Sequence, residues 1–316
     1  MKVGFIGLGN AGGKLAGSLL RNGVELTVRD LDPDLATKFI ERGANWSESP
    51  KEMAESVDMV ITCLPSPSVC SSVMEGADGI LEGLSEGKIW AEMSTTDSNE
   101  VKRLSKKVLA LGAYPIDCPV SGGCHRAETG NISIFAGCDR NTFEKALPIL
   151  KIMGRRILHV GDIGSASVLK VMTNYLATVN LISVSEALTT ACAMGLDLKT
   201  TYDAIAISSG NSFVHETEGQ VILNGSRDIN FTMGLVLKDT SLFQKLAEDH
   251  NVPLEISPKV VEIFEAGVKK YGPNELSPNI IKRLEDSTNI SVTAQGFPAY
   301  IVDDEPEELG YEVGNK

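Results

Sequence analysis

Lys170 and Asn174 lie four residues apart in a stretch, residues 165–194, that holds neither proline nor glycine and is apolar on most faces. Four-residue spacing puts both side chains on one face of a helix. An unpaired ammonium is costly to bury, and desolvation lowers its pKa toward neutrality, which suits proton exchange with a hydroxyl. A lysine whose stem follows apolar surface while its head stays in water fits the same spacing. The second candidate is Asp117-Cys-Pro-Val-Ser121-Gly122-Gly123. Its small residues expose backbone N–H groups and one hydroxyl, an arrangement that holds a carboxylate or simply makes a flexible turn. The third is Lys238-Asp239 at the start of a helical stretch, where an exposed ion pair is the ordinary outcome.

These residues need a scaffold, and the N-terminus supplies its clearest part. Val3-Gly-Phe-Ile6 reads as a short buried strand, Gly7-Leu8-Gly9-Asn10-Ala11-Gly12 as the turn after it, and Ala11–Leu20 as a helix. In Gly-x-Gly-x-x-Gly the first glycine turns the chain and the second clears space for a pyrophosphate. The third lets helix and strand pack closely. The phosphates then meet a helix N-terminus, whose unpaired N–H groups and dipole favour negative charge. Asp30 closes the next strand, Leu26–Arg29. There its carboxylate can accept from ribose hydroxyls and repel a 2′-phosphate, so NAD is favoured over NADP. Asp30 also suits a turn ahead of Asp32-Pro33. Arg29 could pair with a 2′-phosphate, but strand alternation points it away from the Asp30 face.

The chain has 316 residues, 42% hydrophobic and 22% charged, with a formal charge of −13. That length allows two domains and a sizeable core. The charge, with no basic stripe, argues against a nucleic-acid partner. No apolar run is expected to reach membrane-spanning length, and Met1 leads directly into the first strand, so a cytoplasmic protein without a cleavable signal is expected. Cysteines 63, 70, 118, 124, 138 and 192 form no Cys-x-x-Cys pair and no zinc spacing, so free thiols and no metal are expected. Cys124-His125 is set aside as a nucleophile and base, because adjacent residues rarely face each other.

Up to Val160, apolar runs alternate with helical patterns, predicting βαβ units around a parallel sheet. Strands are expected at 59–63, 89–92, 114–117, 133–136 and 157–160, with helices at 50–57, 99–111 and 141–153. Leu64-Pro65 and Ser94-Thr95-Thr96 follow two of these strands on the carboxyl edge, where open α/β sheets bind ligands. Residues 165–194 predict one long buried helix of about 45 Å. Later helices (236–251, 258–270, 278–285) or another subunit must cover it, so a homodimer or homotetramer is expected. The acidic run Asp303–Glu308, flanked by aromatics, reads as a mobile tail or as a segment packed across a neighbouring subunit.

Taken together and in order, the glycine motif, Asp117–Gly123, Gly164…Lys170-x-x-x-Asn174 and Lys238-Asp239 resemble the β-hydroxyacid dehydrogenases, the family of 3-hydroxyisobutyrate dehydrogenase and tartronate semialdehyde reductase, over roughly residues 1–285. The resemblance implies an α/β fold. Its N-terminal Rossmann domain with a parallel sheet would span residues 1–163. An all-α C-terminal domain entered through a long helix would span 164–285, the two enclosing a cleft, and an acidic extension would occupy 286–316. It implies an NAD-dependent dehydrogenase acting on a small anionic 3-hydroxy acid. Lys170 is then the general acid/base, Ser121, Gly122 and Gly123 hold the acid group, and Asn174 orients the hydroxyl or carboxylate. Lys238 closes the site beside the cofactor, and Leu64, Pro65 and Thr95 are similar to the family's cofactor contacts.

Departures from the family pattern are Ala166, where a second glycine is usual, and Arg126, whose charge suggests a second anionic group on the substrate. 6-Phosphogluconate dehydrogenase resembles the same architecture but places histidine where this chain has Thr173, and it reads NADP. Imine reductases share the fold and lack the lysine. A non-catalytic NAD-binding regulator should have lost Lys170 or gained a recognition module.

Overall fold

In the computed structural model, which describes residues 1–314, the run Val3–Ile6 forms β1 and is buried along its whole length. Such a strand has both faces covered, as in a parallel sheet flanked by helices. The remaining strands are β2 (Leu26–Arg29), β3 (Asn45–Trp46), β4 (Met59–Thr62), β5 (Ile89–Glu92), β6 (Tyr114–Asp117), β7 (Val120–Ser121), β8 (Ile132–Gly137), β9 (Gly154–Gly161) and β10 (Tyr311–Glu312). They make one sheet in the order β10-β9-β8-β6-β5-β4-β1-β2-β3, with β7 paired to β8. From β3 to β6 every pairing is parallel.

Period-two alternation divides the core between the two faces. Val3, Phe5, Met59, Ile61, Ile89 and Ala91 join one cluster, whereas Val60 and Trp90 join the other. Gly4 is dictated by this packing, since a Cβ there would lie 2.5 Å from the Met53 side chain. The flanking helices are α1 (Gly12–Arg21), α2 (Asp34–Ile40), α3 (Pro50–Ser56), α4 (Pro67–Glu75), α5 (Ile80–Gly83), α6 (Ser98–Ala110), α7 (Cys124–Glu128) and α8 (Arg140–Met153). Ser49, Ser66, Asp97 and Asp139 cap α3, α4, α6 and α8 by accepting from backbone N–H groups of the first turn.

The parallel sheet expected from sequence has an antiparallel edge. β6 and β8 are antiparallel, and β8 and β9 are parallel to each other. The connection after β6 places Val120–Ser121 on β8 and gives only Cys124–Glu128 to a helix, so the chain returns instead of crossing over.

A 29-residue helix, α9 (Ser165–Ala193), follows. By length and composition it could cross a membrane, contrary to the expectation that no such stretch exists, but Leu181, Ile182 and Leu188 belong to the core of a helical unit. It is not buried throughout, because Leu169, Met172 and Leu176 are exposed. After it come α10 (Leu198–Ala206), α11 (Phe213–Glu216), α12 (Glu218–Asn224), α13 (Met233–Asp249), α14 (Ile256–Tyr271), a 3₁₀ turn (Ser277–Ile281) and α15 (Lys282–Thr288). Val236, Phe264, Ile280 and Val292 complete this second core.

Two compact units result: Met1–Lys170 with the segment from Asp303 onward, and Val171–Val302. The division falls within α9 rather than at 163, and the expected extension 286–316 is not one piece. Residues before 303 stay on the helical unit, where Asn224 and Ser226 donate to the carbonyls of Phe297 and Ala299. From Asp303 the chain lies on the first unit, held there by contacts within the chain itself. Arg21 meets Glu307 at 3.1 Å, Arg140 meets Glu312 at 3.0 Å, Arg155 pairs with Glu308, and β10 extends the sheet beside β9. The acidic run is held by arginines of this same unit and, at Asp303, also by Thr129 and Asn131.

Candidate active site

The glycine turn between β1 and α1 shows three different uses of glycine. Gly7 has φ +99, and a Cβ there would lie 2.2 Å from the Cys63 carbonyl oxygen. A Cβ on Gly12 would lie 2.0 Å from the Gly7 oxygen, whereas one on Gly9 would meet nothing within 4 Å. Gly7 and Gly12 are therefore required by packing, and Gly9 leaves open space. Leu8 is buried, Gly9 and Asn10 are exposed, and Ala11 is half-buried at the helix start. No side chain caps α1 and its first turn carries no acid, so its N-terminal N–H groups suit a phosphate.

Asp30 braces this turn. Its carboxylate accepts from the Leu8 N–H at 2.6 Å and from the Asp32 N–H at 3.0 Å, so it shapes both the glycine loop and the turn that follows. Arg29 donates to the carbonyl of Ser47 at 2.9 Å and to that of Glu48, and lies over the Trp46 ring. Its guanidinium is thus held at the β3 side of the sheet, while Asp30 serves the glycine turn.

The two loops expected to pass over the cofactor rest on one buried network. The Leu64 N–H donates to Ser94 Oγ at 2.7 Å, tying the loop after β4 to the loop after β5. Beneath them Glu92 accepts from the Ser94 N–H at 2.7 Å, from the Thr62 hydroxyl at 2.8 Å and from the Cys70 thiol at 2.7 Å. Burial pushes the Glu92 carboxyl upward against those donors. The sequence reading assigned Glu92 no role, although an acid closing a fully buried strand was the available signal. Leu64 and Thr95 are half-buried here and Pro65 is exposed.

Asp117 does comparable work one strand further along. Its Oδ2 accepts the Ser167 N–H at 2.8 Å and its Oδ1 accepts the Ser167 hydroxyl at 2.7 Å. The end of β6 therefore caps the first turn of α9, the helix that carries Lys170. Burial raises the Asp117 pKa to about 6, with the Ser167 bonds opposing the rise. A few residues past Asp117, Ser121 pairs with Ser133, and Gly122 and Gly123 adopt φ +130 and +87, conformations open to glycine. Lys170 is buried, 8% exposed, one turn beyond Ser167. Ala166, where the family usually has glycine, is fully buried in the same turn.

In the helical unit one carboxylate joins the other two predicted residues. Asn174 Nδ2 donates to Asp239 Oδ2 at 2.6 Å, and Lys238 Nζ lies 2.9 Å from Asp239 Oδ1. The exposed ion pair expected at Lys238-Asp239 is corrected, because Asp239 is buried and its charge orients both neighbours. Arg126, expected to meet a second substrate anion, instead faces Asp303 and Glu305 of the chain's own C-terminal segment, at 4.0 and 3.5 Å.

Comparison with known proteins bears on this constellation. The family model for the NAD-binding domain of 6-phosphogluconate dehydrogenase matches residues 2–161, and that for the NAD-binding region of NADP-dependent 3-hydroxyisobutyrate dehydrogenase matches 164–284. The 2-(hydroxymethyl)glutarate dehydrogenase of Eubacterium barkeri is 33% identical over 295 residues, covering 93% of this chain and 98% of that protein. The chain belongs to the β-hydroxyacid dehydrogenase family. Rat mitochondrial 3-hydroxyisobutyrate dehydrogenase is 34% identical over 283 residues, 87% of this chain and 84% of that protein. The Salmonella typhimurium 3-hydroxyisobutyrate dehydrogenase structure superposes with a TM-score of 0.83 at 25% identity, covering 90% of this chain and 99% of that one. As a β-hydroxyacid dehydrogenase the protein is an oxidoreductase acting on CH–OH groups, with a nicotinamide cofactor and a Rossmann unit followed by helices.

Proposed function

We propose that this β-hydroxyacid dehydrogenase uses NAD to interconvert a small 3-hydroxy acid and its semialdehyde, with Lys170 exchanging the proton of the reacting oxygen. The observation that carries the reading is the Asp117–Ser167 contact. It fixes the buried Lys170 on a helix anchored to the same strand end that leads into Ser121-Gly122-Gly123.

In this reading the turn from Gly7 to Gly12 holds the pyrophosphate, Asp30 the adenosine ribose, and Leu64, Pro65 and Thr95 border the nicotinamide half. When bound, the nicotinamide supplies hydride acceptance or donation. Ser121 with the Gly122 and Gly123 N–H groups takes the substrate carboxylate. Lys170 Nζ takes the hydroxyl proton during oxidation and returns it during reduction, a role worth about 10²–10⁴ in rate. Asn174, oriented by Asp239, directs the hydroxyl or carboxylate, and Lys238 adds positive charge beside the cofactor. Arg29, already engaged by Ser47 and Glu48, favours NAD over NADP. Arg126, facing two carboxylates of its own chain, favours a mono-anionic acid such as 3-hydroxyisobutyrate, glycerate or a sulfonate analogue. The exposed Leu169, Met172 and Leu176 on α9 support a homodimer or homotetramer, which sedimentation would test.

The deciding experiment follows nicotinamide absorbance with a panel of 3-hydroxy acids, for wild type and Lys170→Ala. The expected result is oxidation by wild type and a kcat lower by about 10²–10⁴ in the variant, with NAD binding retained. Near-normal turnover in Lys170→Ala would remove the assignment.

A further inference from the structure

Gly122 fills a slot between two side chains. A Cβ built on it would lie 3.3 Å from Cδ of Arg126 and 3.6 Å from Cγ1 of Ile132. One wall, Arg126, and the residue before the other wall, Asn131, are tied to the C-terminal segment, which lies beyond residue 284, where the family match ends. Arg126 faces Asp303 and Glu305 at 4.0 and 3.5 Å. Asn131, adjacent to Ile132, donates from Nδ2 to Asp303 Oδ2 at 2.7 Å and to the Glu305 carbonyl at 2.8 Å. The Thr129 hydroxyl donates to the same Asp303 oxygen. Ser133, the residue after Ile132, is in register with Ser121.

The contacts between Asp303 and Asn131 are internal ones. The Asp303 side chain is 4% exposed and Asn131 is fully buried. Burial alone would raise the Asp303 pKa, but the Thr129 and Asn131 bonds, the Glu305 N–H and the Arg126 charge outweigh it and hold the carboxyl below its usual range. Take Asp303 away, and the Asn131 amide loses an acceptor in a place water does not reach, while Thr129 and Arg126 lose the group that gathers them.

We propose that Asp303 is a positioning residue for the Ser121–Gly123 loop, and that the C-terminal segment is the wall that sets this loop's geometry for the substrate acid. The proposal rests on the reading that this loop holds the acid group. An ångström of displacement at a positioning group costs up to about a hundredfold in rate, so the segment governs affinity for the acid while leaving the glycine turn untouched.

The test uses the whole 316-residue chain, Asp303→Asn, and a chain ending at Val302, with the hydroxy acid and NAD varied in turn. Asp303→Asn keeps the size of the side chain but loses its charge, and places an amide against the donors of Thr129 and Asn131. Two readouts are taken: KM for the hydroxy acid against KM for NAD, and hydrogen exchange of the backbone amides at 121–131 against those at 7–13. We expect Asp303→Asn to raise KM for the acid by about tenfold with KM for NAD unchanged, to speed exchange only at 121–131, and Asp303→Glu to recover part of both effects. Unchanged exchange at 121–131 in Asp303→Asn, or a parallel rise of both KM values, overturns the proposal. Should the truncated chain not fold, Asp303→Asn still decides. If wild type oxidises no hydroxy acid, the proposed function fails and the exchange measurement still judges the wall.

Discussion

Ser167 gives both its backbone N–H and its hydroxyl to Asp117, at 2.8 and 2.7 Å, so one carboxylate closes the open end of α9. Burial holds its pKa at about 6, above the ordinary 3.8. The folded chain therefore binds this proton more tightly than the unfolded one. The stability drawn from it is greatest below about pH 4, declines as pH rises to about 6, and is flat beyond. The shift corresponds to about 3 kcal/mol. Asp117→Asn should remove that component from the pH dependence of the urea midpoint, and lower kcat about tenfold by loosening the start of the Lys170 helix. An unchanged slope between pH 4 and 6 would show that Asp117 is not the titrating group.

Gly9 and Gly12 should separate binding from folding. Gly9→Ala adds a methyl where nothing lies within 4 Å, so the melting temperature should hold while KM for NAD rises about tenfold. Gly12→Ala drives a Cβ to 2.0 Å from a carbonyl oxygen and should cost more than about 4 kcal/mol. Calorimetry paired with NAD titration of each variant distinguishes the two effects.

On the proposed NAD reading, Asp30→Ala should lower the NAD-to-NADP ratio of kcat/KM by at least about tenfold, because a carboxylate that would repel the 2′-phosphate is gone. It also removes the acceptor of the Leu8 N–H, so some loss of affinity for both cofactors is expected. A ratio that does not move would transfer cofactor choice to other residues.

Asp239→Asn should raise KM for the hydroxy acid with little change in KM for NAD. The substitution takes the charge from a 2.6 Å bond to Asn174 and from the partner of Lys238. Charge-assisted bonds of this kind are worth about 1.5–3 kcal/mol, or roughly ten- to a hundredfold. Steady-state kinetics with each substrate varied in turn provides the check.

Local patterns were legible in the chain. Gly7 and Gly12 announce their packing roles by spacing, because a turn between strand and helix is settled by a few neighbouring residues. Long-range pairings were not legible. Nothing near Asp303 announces Thr129 or Asn131, and the arginine partners of the acidic run at residues 21, 126, 155 and 156 are scattered over two helices and a strand. Glu92 was missed for a related reason: its donors, Thr62, Cys70 and Ser94, come from separate stretches. The antiparallel edge of the sheet escaped because Ser133–Ala136 has the same apolar pattern in either strand direction.

β10 has a consequence for how the protein is made. The nucleotide-binding half is written in two pieces, with the whole helical half between them. A growing polypeptide emerging from the ribosome can assemble eight neighbouring strands of the path β9 to β3 early, but the outer strand Tyr311–Glu312 arrives only after the whole helical half has been made. Until then β9 presents an unpaired backbone edge, which this late segment closes.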